Sequence, residues 1–220
     1  MLFFVIVVIT LLAANAIKDK PFFFKKAETA RWLAHGNVYG TISTTSVHLN
    51  GQAWGQTKVC IPYIFKIFLH PWYLPFPQSF VDGSIGNSTG VLYFYDSDMD
   101  TSLQDIANNP QVAFSLSMAQ QGLCPTKVTD PENPTCARVV FSGVFEDVTD
   151  PDEEAFAKAA LFERHPTMAS WPDDHSWKVR KISQMTEIWM IDIFGGASII
   201  DQAEYYAVEM NDELKLKYAA

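Results

Sequence analysis

The side chains that could do chemistry are few, and their spacing is poor for it. His165 and His175 lie beside Asp173 and Asp174. A zinc site wants ligands at helical or hairpin spacing, usually with cysteine among them, and this set has neither, so both histidines read as structural or surface residues. Gly195-Gly196 lacks the GxGxxG spacing of a nucleotide loop and has no helix start after it. Lys178, Arg180 and Lys181 form the one basic cluster. They could neutralise a flavin phosphate, but a solvated strand face is the simpler reading. Asp150 to Glu154 resembles a calcium loop only in charge. Asp150 as N-cap, Pro151 at the first turn and Glu153 in a reciprocal capping bond suit a helix start better. These residues lead to the expectation of no catalytic, cofactor-binding or metal-binding set.

The elements that would hold such residues are short. The chain has 220 residues, 48% hydrophobic and 19% charged, which suits one globular domain with a core of its own. Its net charge of -9 leaves no basic face for phosphate backbones, so nucleic acid is excluded as a partner. Helices are expected at Glu28–Gly36, Ser102–Asn108 and from Pro151 to Arg164. Strands are expected at Val38–Thr45, Val91–Tyr95, Val112–Met118, Arg138–Val148 (with Gly143 as a bulge or close-approach point) and Glu187–Phe194. The last has apolar residues at both parities and reads as covered on both faces. The fold class is mainly β with peripheral α-helices, an antiparallel barrel.

Leu2 to Ala14 is almost continuously apolar, and Ala14-Asn15-Ala16 has the small-x-small form that signal peptidase reads. Residues 1–16 are therefore expected to be a signal peptide, with a mature start near Ile17. No Lys or Arg follows Met1, a departure from the usual basic start of a signal peptide, and the alternative is an uncleaved anchor. Two features agree with export. Asn87-Ser88-Thr89 is a glycan acceptor between Gly86 and Gly90, whereas Pro134 blocks Asn133-Pro134-Thr135. Cys124 and Cys136 bracket a polar, proline-rich stretch that a bridge could close in an oxidising compartment; two unpaired thiols are the alternative.

Val59–Gln78 behaves differently. Six aromatics and four prolines, with Lys66 and His70, suit neither a membrane helix nor a packed strand. A lid over an apolar cleft is one reading. A retained intron translated in frame fits better: Lys58-Val59-Cys60 can be encoded by a 5′ splice donor, and Leu74-Pro75-Phe76-Pro77-Gln78 by a pyrimidine tract ending in CAG. Removing it would also remove Cys60 and leave an even pair of cysteines.

From Ala27 to Val208 the chain resembles the CREG family, named as cellular repressors of adenovirus-early-gene-stimulated transcription. The resemblance lies in Ala30-Arg31-Trp32-Leu33-Ala34-His35, Gly40-Thr41-Ile42-Ser43-Thr44, Gly86-Asn87-Ser88-Thr89-Gly90 and Tyr93-Phe94-Tyr95. It continues through Leu161-Phe162-Glu163-Arg164-His165-Pro166, Trp171-Pro172, His175-Ser176-Trp177, Ile188-Trp189, Asp192-Ile193-Phe194-Gly195-Gly196 and Glu204-Tyr205-Tyr206. Val59–Gln78 departs from it, and deleting that block restores a family-like run from Trp54 to Gly90. The resemblance implies a 27–208 domain between an N-terminal segment 17–26 and a tail 209–220. That domain would be a split β-barrel of the FMN-binding type, paired as a homodimer, with protein segments filling the cleft that holds flavin mononucleotide in the wider superfamily. It further implies a secreted, extracellular or endolysosomal glycoprotein without catalysis or cofactor that affects growth and differentiation and engages a mannose-6-phosphate-type receptor through its glycans. By position, Asn87 matches a family glycosylation site and Cys124 with Cys136 a family disulfide. An FMN-dependent oxidoreductase is the alternative function.

Overall fold

Alternation of apolar and small polar residues along four successive strands builds one face of a nine-stranded antiparallel sheet. The computed structural model describes residues 20–21, 24–56, 78–124, 126 and 129–210. The expected signal peptide 1–16, Cys60, all of Val59–Gln78 except Gln78, and the tail beyond 210 lie outside the described residues. In chain order the elements are α1 (Lys26–Gly36), β1 (Tyr39–Thr45), β2 (Ala53–Gln56), β3 (Gln78–Ser79), β4 (Val81–Ser84), β5 (Asn87–Ser97), α2 (Thr101–Asn108), β6 (Gln111–Ser117), β7 (Arg138–Asp147), α3 (Pro151–Arg164), β8 (Trp177–Ile191), β9 (Ser198–Ile199) and α4 (Gln202–Tyr206). The sheet runs β2-β1-β6-β7-β8-β5-β4, with β3 also on β1 and β9 on β8.

The inward positions of β6 (Val112, Phe114, Leu116) and β7 (Val139, Phe141, Phe145) meet Phe80, Phe94 and Ile182 in the main core. Phe94 touches Phe114 at 5.1 Å and Phe145 at 5.0 Å between ring centroids, and Phe80 meets Phe114 at 4.9 Å. Each buried ring contributes about 1.5–3 kcal/mol. Gly40 is glycine because a Cβ there would stand 2.3 Å from Phe114 Cζ. A second cluster forms where α3 lays Ala157, Ala160 and Leu161 on Val81, Tyr93 and Val179. Beside it Tyr95 stacks on Trp171 and Trp177, at 6.0 and 5.6 Å.

Asp150 caps α3 by accepting from Asp152 N and Glu153 N, with Pro151 in the first turn. Glu153 does not return the expected capping bond: its carboxylate is drawn to Lys181 and the Tyr93 hydroxyl. β8 runs over 15 residues rather than starting at Glu187. It is not covered on both faces, because Ile188 and Met190 are buried whereas Trp189 and Ile191 are only partly so. Gly143 does sit at a register shift between β7 and β8, where a Cβ would meet Ser183 O at 2.7 Å.

Cys124 and Cys136 are joined as a disulfide, with Cα atoms 6.3 Å apart and both side chains buried. Replacing both by serine is expected to lower folding stability by about 3 kcal/mol, read by denaturant titration. An unchanged midpoint would mean that the bridge does not constrain the unfolded chain.

Candidate functional site

Arg31 and His35 stand four residues apart on α1, on one face, and both are buried to 1% exposure. They face the β4–β5 hairpin, where Asp82 is buried completely. A carboxylate placed there must be neutralised and hydrogen-bonded, and the surrounding residues do both. His35 Nδ1 lies 2.8 Å from Asp82 Oδ1, Arg164 Nη1 lies 3.5 Å from the same oxygen, and the Ser88 hydroxyl donates to Oδ2. Arg31 Nη2 donates to Ser88 Oγ and to Ser88 O, each at 2.8 Å, and its guanidinium lies over the Tyr205 ring at 5.4 Å. The Tyr205 hydroxyl donates to Gly90 O at 2.9 Å, and burial pushes its pKa well above the usual phenol value. Arg164 Nη2 donates to His35 O and Asn37 O at 2.8 and 3.3 Å. The network ties α1, α3 and α4 to one hairpin.

This network was not anticipated, although the sequence held a signal for it. Gly86-Asn87-Ser88-Thr89-Gly90 spells G-x-S-x-G, the letters of a nucleophile elbow. The backbone is wrong for that role, since the run enters a β-hairpin and not a strand-turn-helix. The proton path is wrong as well. A hydrolase relay puts the serine hydroxyl on the imidazole, whereas here Ser88 and His35 both reach the same carboxylate. The network therefore works as a structural clamp.

At the hairpin Asn87 is exposed, with Ser88 and Thr89 half-buried behind it. The Thr89 hydroxyl donates to Asp82 O at 2.9 Å and accepts from Val91 N at 3.1 Å. The hairpin thus leaves Asn87 exposed while holding Ser88 and Thr89.

The basic cluster is a solvated face at Lys178, which is exposed, but not at Arg180. Arg180 is buried, with Nε on Asp147 Oδ1 at 2.8 Å, Nη1 on Asp96 O at 3.0 Å and Nη2 on Asp98. Lys178 bridges Asp98 and Asp147 at 3.2 and 3.4 Å, and the hydrogen bond to Asp98 and the charge of Asp147 raise its pKa. Lys181 is held by Glu153 at 2.7 Å. A flavin phosphate here would have to displace these carboxylates, so the residues do not fit one. His165 Nε2 lies 3.1 Å from Phe80 O, and burial lowers its pKa. His175 offers its carbonyl to Ser97 Oγ at 2.6 Å. Among the described residues no group of three or more His, Cys, Asp or Glu could hold a metal.

The opposite face of the sheet carries the other candidate. Strand register puts Thr41, Ser115, Val140, Trp189 and Ile199 in one row across β1, β6, β7, β8 and β9. Ser43, Ala113 and Ser142 form the next row, ending at Glu187. The face is small-residued and uncharged between Arg138 and Glu187, and Ile199 is 62% exposed.

Comparisons with known proteins agree with this architecture. The family model described as "CREG, beta-barrel" matches residues 69–207. Protein CREG1 of Gallus gallus is 37% identical over 187 residues, covering 83% of this chain and 86% of that protein. Protein CREG2 of Homo sapiens is 33% identical over 183 residues, covering 82% of this chain and 56% of that longer protein. Among solved structures, a heme binding protein from Mycobacterium smegmatis superposes with a TM-score of 0.58 at 20% identity, over 82% of this chain and 60% of that one. That likeness concerns the fold, a split barrel whose sheet stays open. A family model matching more than half of the chain, with 37% identity to a relative along most of both lengths, makes this chain a member of the CREG family.

Proposed function

We propose that the chain acts as a secreted or endolysosomal glycoprotein without catalysis or cofactor, a homodimeric ligand or regulator of cell growth and differentiation. The observation that carries the pairing is the uncharged row Thr41, Ser115, Val140, Trp189 and Ile199. An antiparallel sheet that faces water normally alternates apolar-in with polar-out, and a face of Ser, Thr, Ala, Val and Trp suits a second copy of itself. A partner there would cover Trp189 and Ile191 from outside, which supplies the second covered face that their sequence suggests. Exposed Asn87 supports a glycan, and through it a mannose-6-phosphate-type receptor; the bonded cysteines support an oxidising compartment.

Sedimentation at micromolar concentration tests the reading. The native chain is expected to run as a dimer. Trp189→Asp and Ile199→Asp are expected to run as monomers with at least a tenfold weaker association and little change in melting temperature. Dimers from both variants would overturn pairing through this face. In the same preparations, flavin mononucleotide fluorescence is expected to be unquenched; saturable quenching would favour the oxidoreductase instead.

A further inference from the structure

β1 pairs with two segments along one edge, and their registers belong together. Along an antiparallel ladder the paired residue numbers add to a constant. For β1 with β2 the pairs run Thr45 with Ala53, Thr44 with Trp54, Ser43 with Gly55 and Ile42 with Gln56, adding to 98. For β1 with β3 they run Gly40 with Gln78 and Tyr39 with Ser79, adding to 118. The backbone bonds just outside the two ladders keep the same sums: Ser46 N–H donates to Gln52 O at 2.8 Å, and Phe80 N–H donates to Val38 O at 3.2 Å. Ser46 and Val38 have the same parity, so both turn toward the same edge of β1, while β6 holds the other. β2 and β3 are therefore collinear stretches of one strand, offset by 20 in numbering.

We infer that this chain has a shorter functional form lacking 20 residues between Thr57 and Ser79, in which β2 and β3 are one uninterrupted strand on β1. The inference does not depend on the proposed function. The number matters because side chains alternate along a strand, and an offset that is not matched turns every following side chain to the other face. With 20 removed, Gln78 and Phe80 keep the parity of Trp54, on the side of Thr44, Ile42 and Gly40. Phe80, fully buried against Phe94 and Phe114, stays in the core. Because β6 holds the other edge of β1, both ladders share one parity, and 20 is the even offset that their registers fix. Removal of 58–77 retains Gln78, whose amide donates to Asp96. Removal of 59–78 puts Lys58 opposite Gly40 instead.

Three chains decide the stability half of the inference: the full chain, one lacking 58–77, and one lacking 58–76. The first deletion is expected to melt at or above the full chain, since β2 then runs directly into β3 along β1. The second is out of register by one residue, exposes Phe80, and is expected to melt lower by about 10 °C or more, or not to fold. Equal damage from both deletions would overturn the inference. Intact mass of the product from its native source, after enzymatic deglycosylation, decides the other half. A product shorter by these residues is expected; only the full-length product would overturn the existence of the shorter form.

Discussion

Replacing Asp82 with alanine is expected to remove about 3–5 kcal/mol of folding stability, the range for uncovering buried partners of a charge. The carboxylate is fully buried and has Arg164, His35 and Ser88 around it. Arg31, itself buried, is placed by Ser88 and so feels the loss at second hand. In a chain of this size that loss lowers the melting temperature by about 6–20 °C. Asp82→Asn keeps a hydrogen-bond acceptor for the neighbouring donors and drops the charge, so it should fall between native and Asp82→Ala. Denaturant titration of the three proteins reads both steps. A loss below about 1 kcal/mol for Asp82→Ala would mean that the surrounding cations are satisfied without it, and the clamp would be an incidental contact.

Gly83→Ala should be nearly as damaging for a different reason. Gly83 has φ +135, and a Cβ there would stand 2.1 Å from Asn87 O. The obstructing atom is backbone of the facing strand, so no side chain can turn aside. Strain and overpacking each cost on the order of 1–3 kcal/mol, giving a loss of about 2–6 kcal/mol. Gly86, three residues on, is the matched control: nothing lies within 4 Å of its Cβ position and its φ is not positive. Gly86→Ala should shift stability by less than about 0.5 kcal/mol. If the two variants melt together, the close approach of the hairpin strands is not what fixes Gly83.

Much of this fold was legible because its elements announce themselves locally. Asp150-Pro151 opens a helix by capping chemistry alone, and Val112, Phe114 and Leu116 alternate with small residues in the pattern that one covered face requires. The first half of β8 was not legible. Trp177-Lys178-Val179-Arg180-Lys181 looks like a charged surface, yet Arg180 is buried because Asp147 and Asp98 arrive from other elements. Likewise Asp82 looks like a turn residue until α1 and α3 bring Arg31, His35 and Arg164 to the hairpin. Contacts made across 47 to 129 residues leave no periodic trace in sequence. The cysteine pair was readable because it is a short-range pattern, and the structure bonds Cys124 to Cys136.

The strand order also sets a timetable. β5 lies between β4, its hairpin neighbour, and β8, with Ser97 opposite Trp177 and Leu92 opposite Ile182, so its second partner follows 80 to 90 residues later. A ribosome adding about 5–20 residues per second needs on the order of 4–18 s to deliver that partner. Throughout that interval one side of an aromatic-rich strand has nothing of its own to bind. Long-range pairing of this kind folds slowly and invites association between unfinished chains. Yield should therefore be limited by nascent chains adhering at β5, and lowering the density of nascent chains, by weaker transcription at an unchanged translation rate, should raise it more than any change at the finished surface.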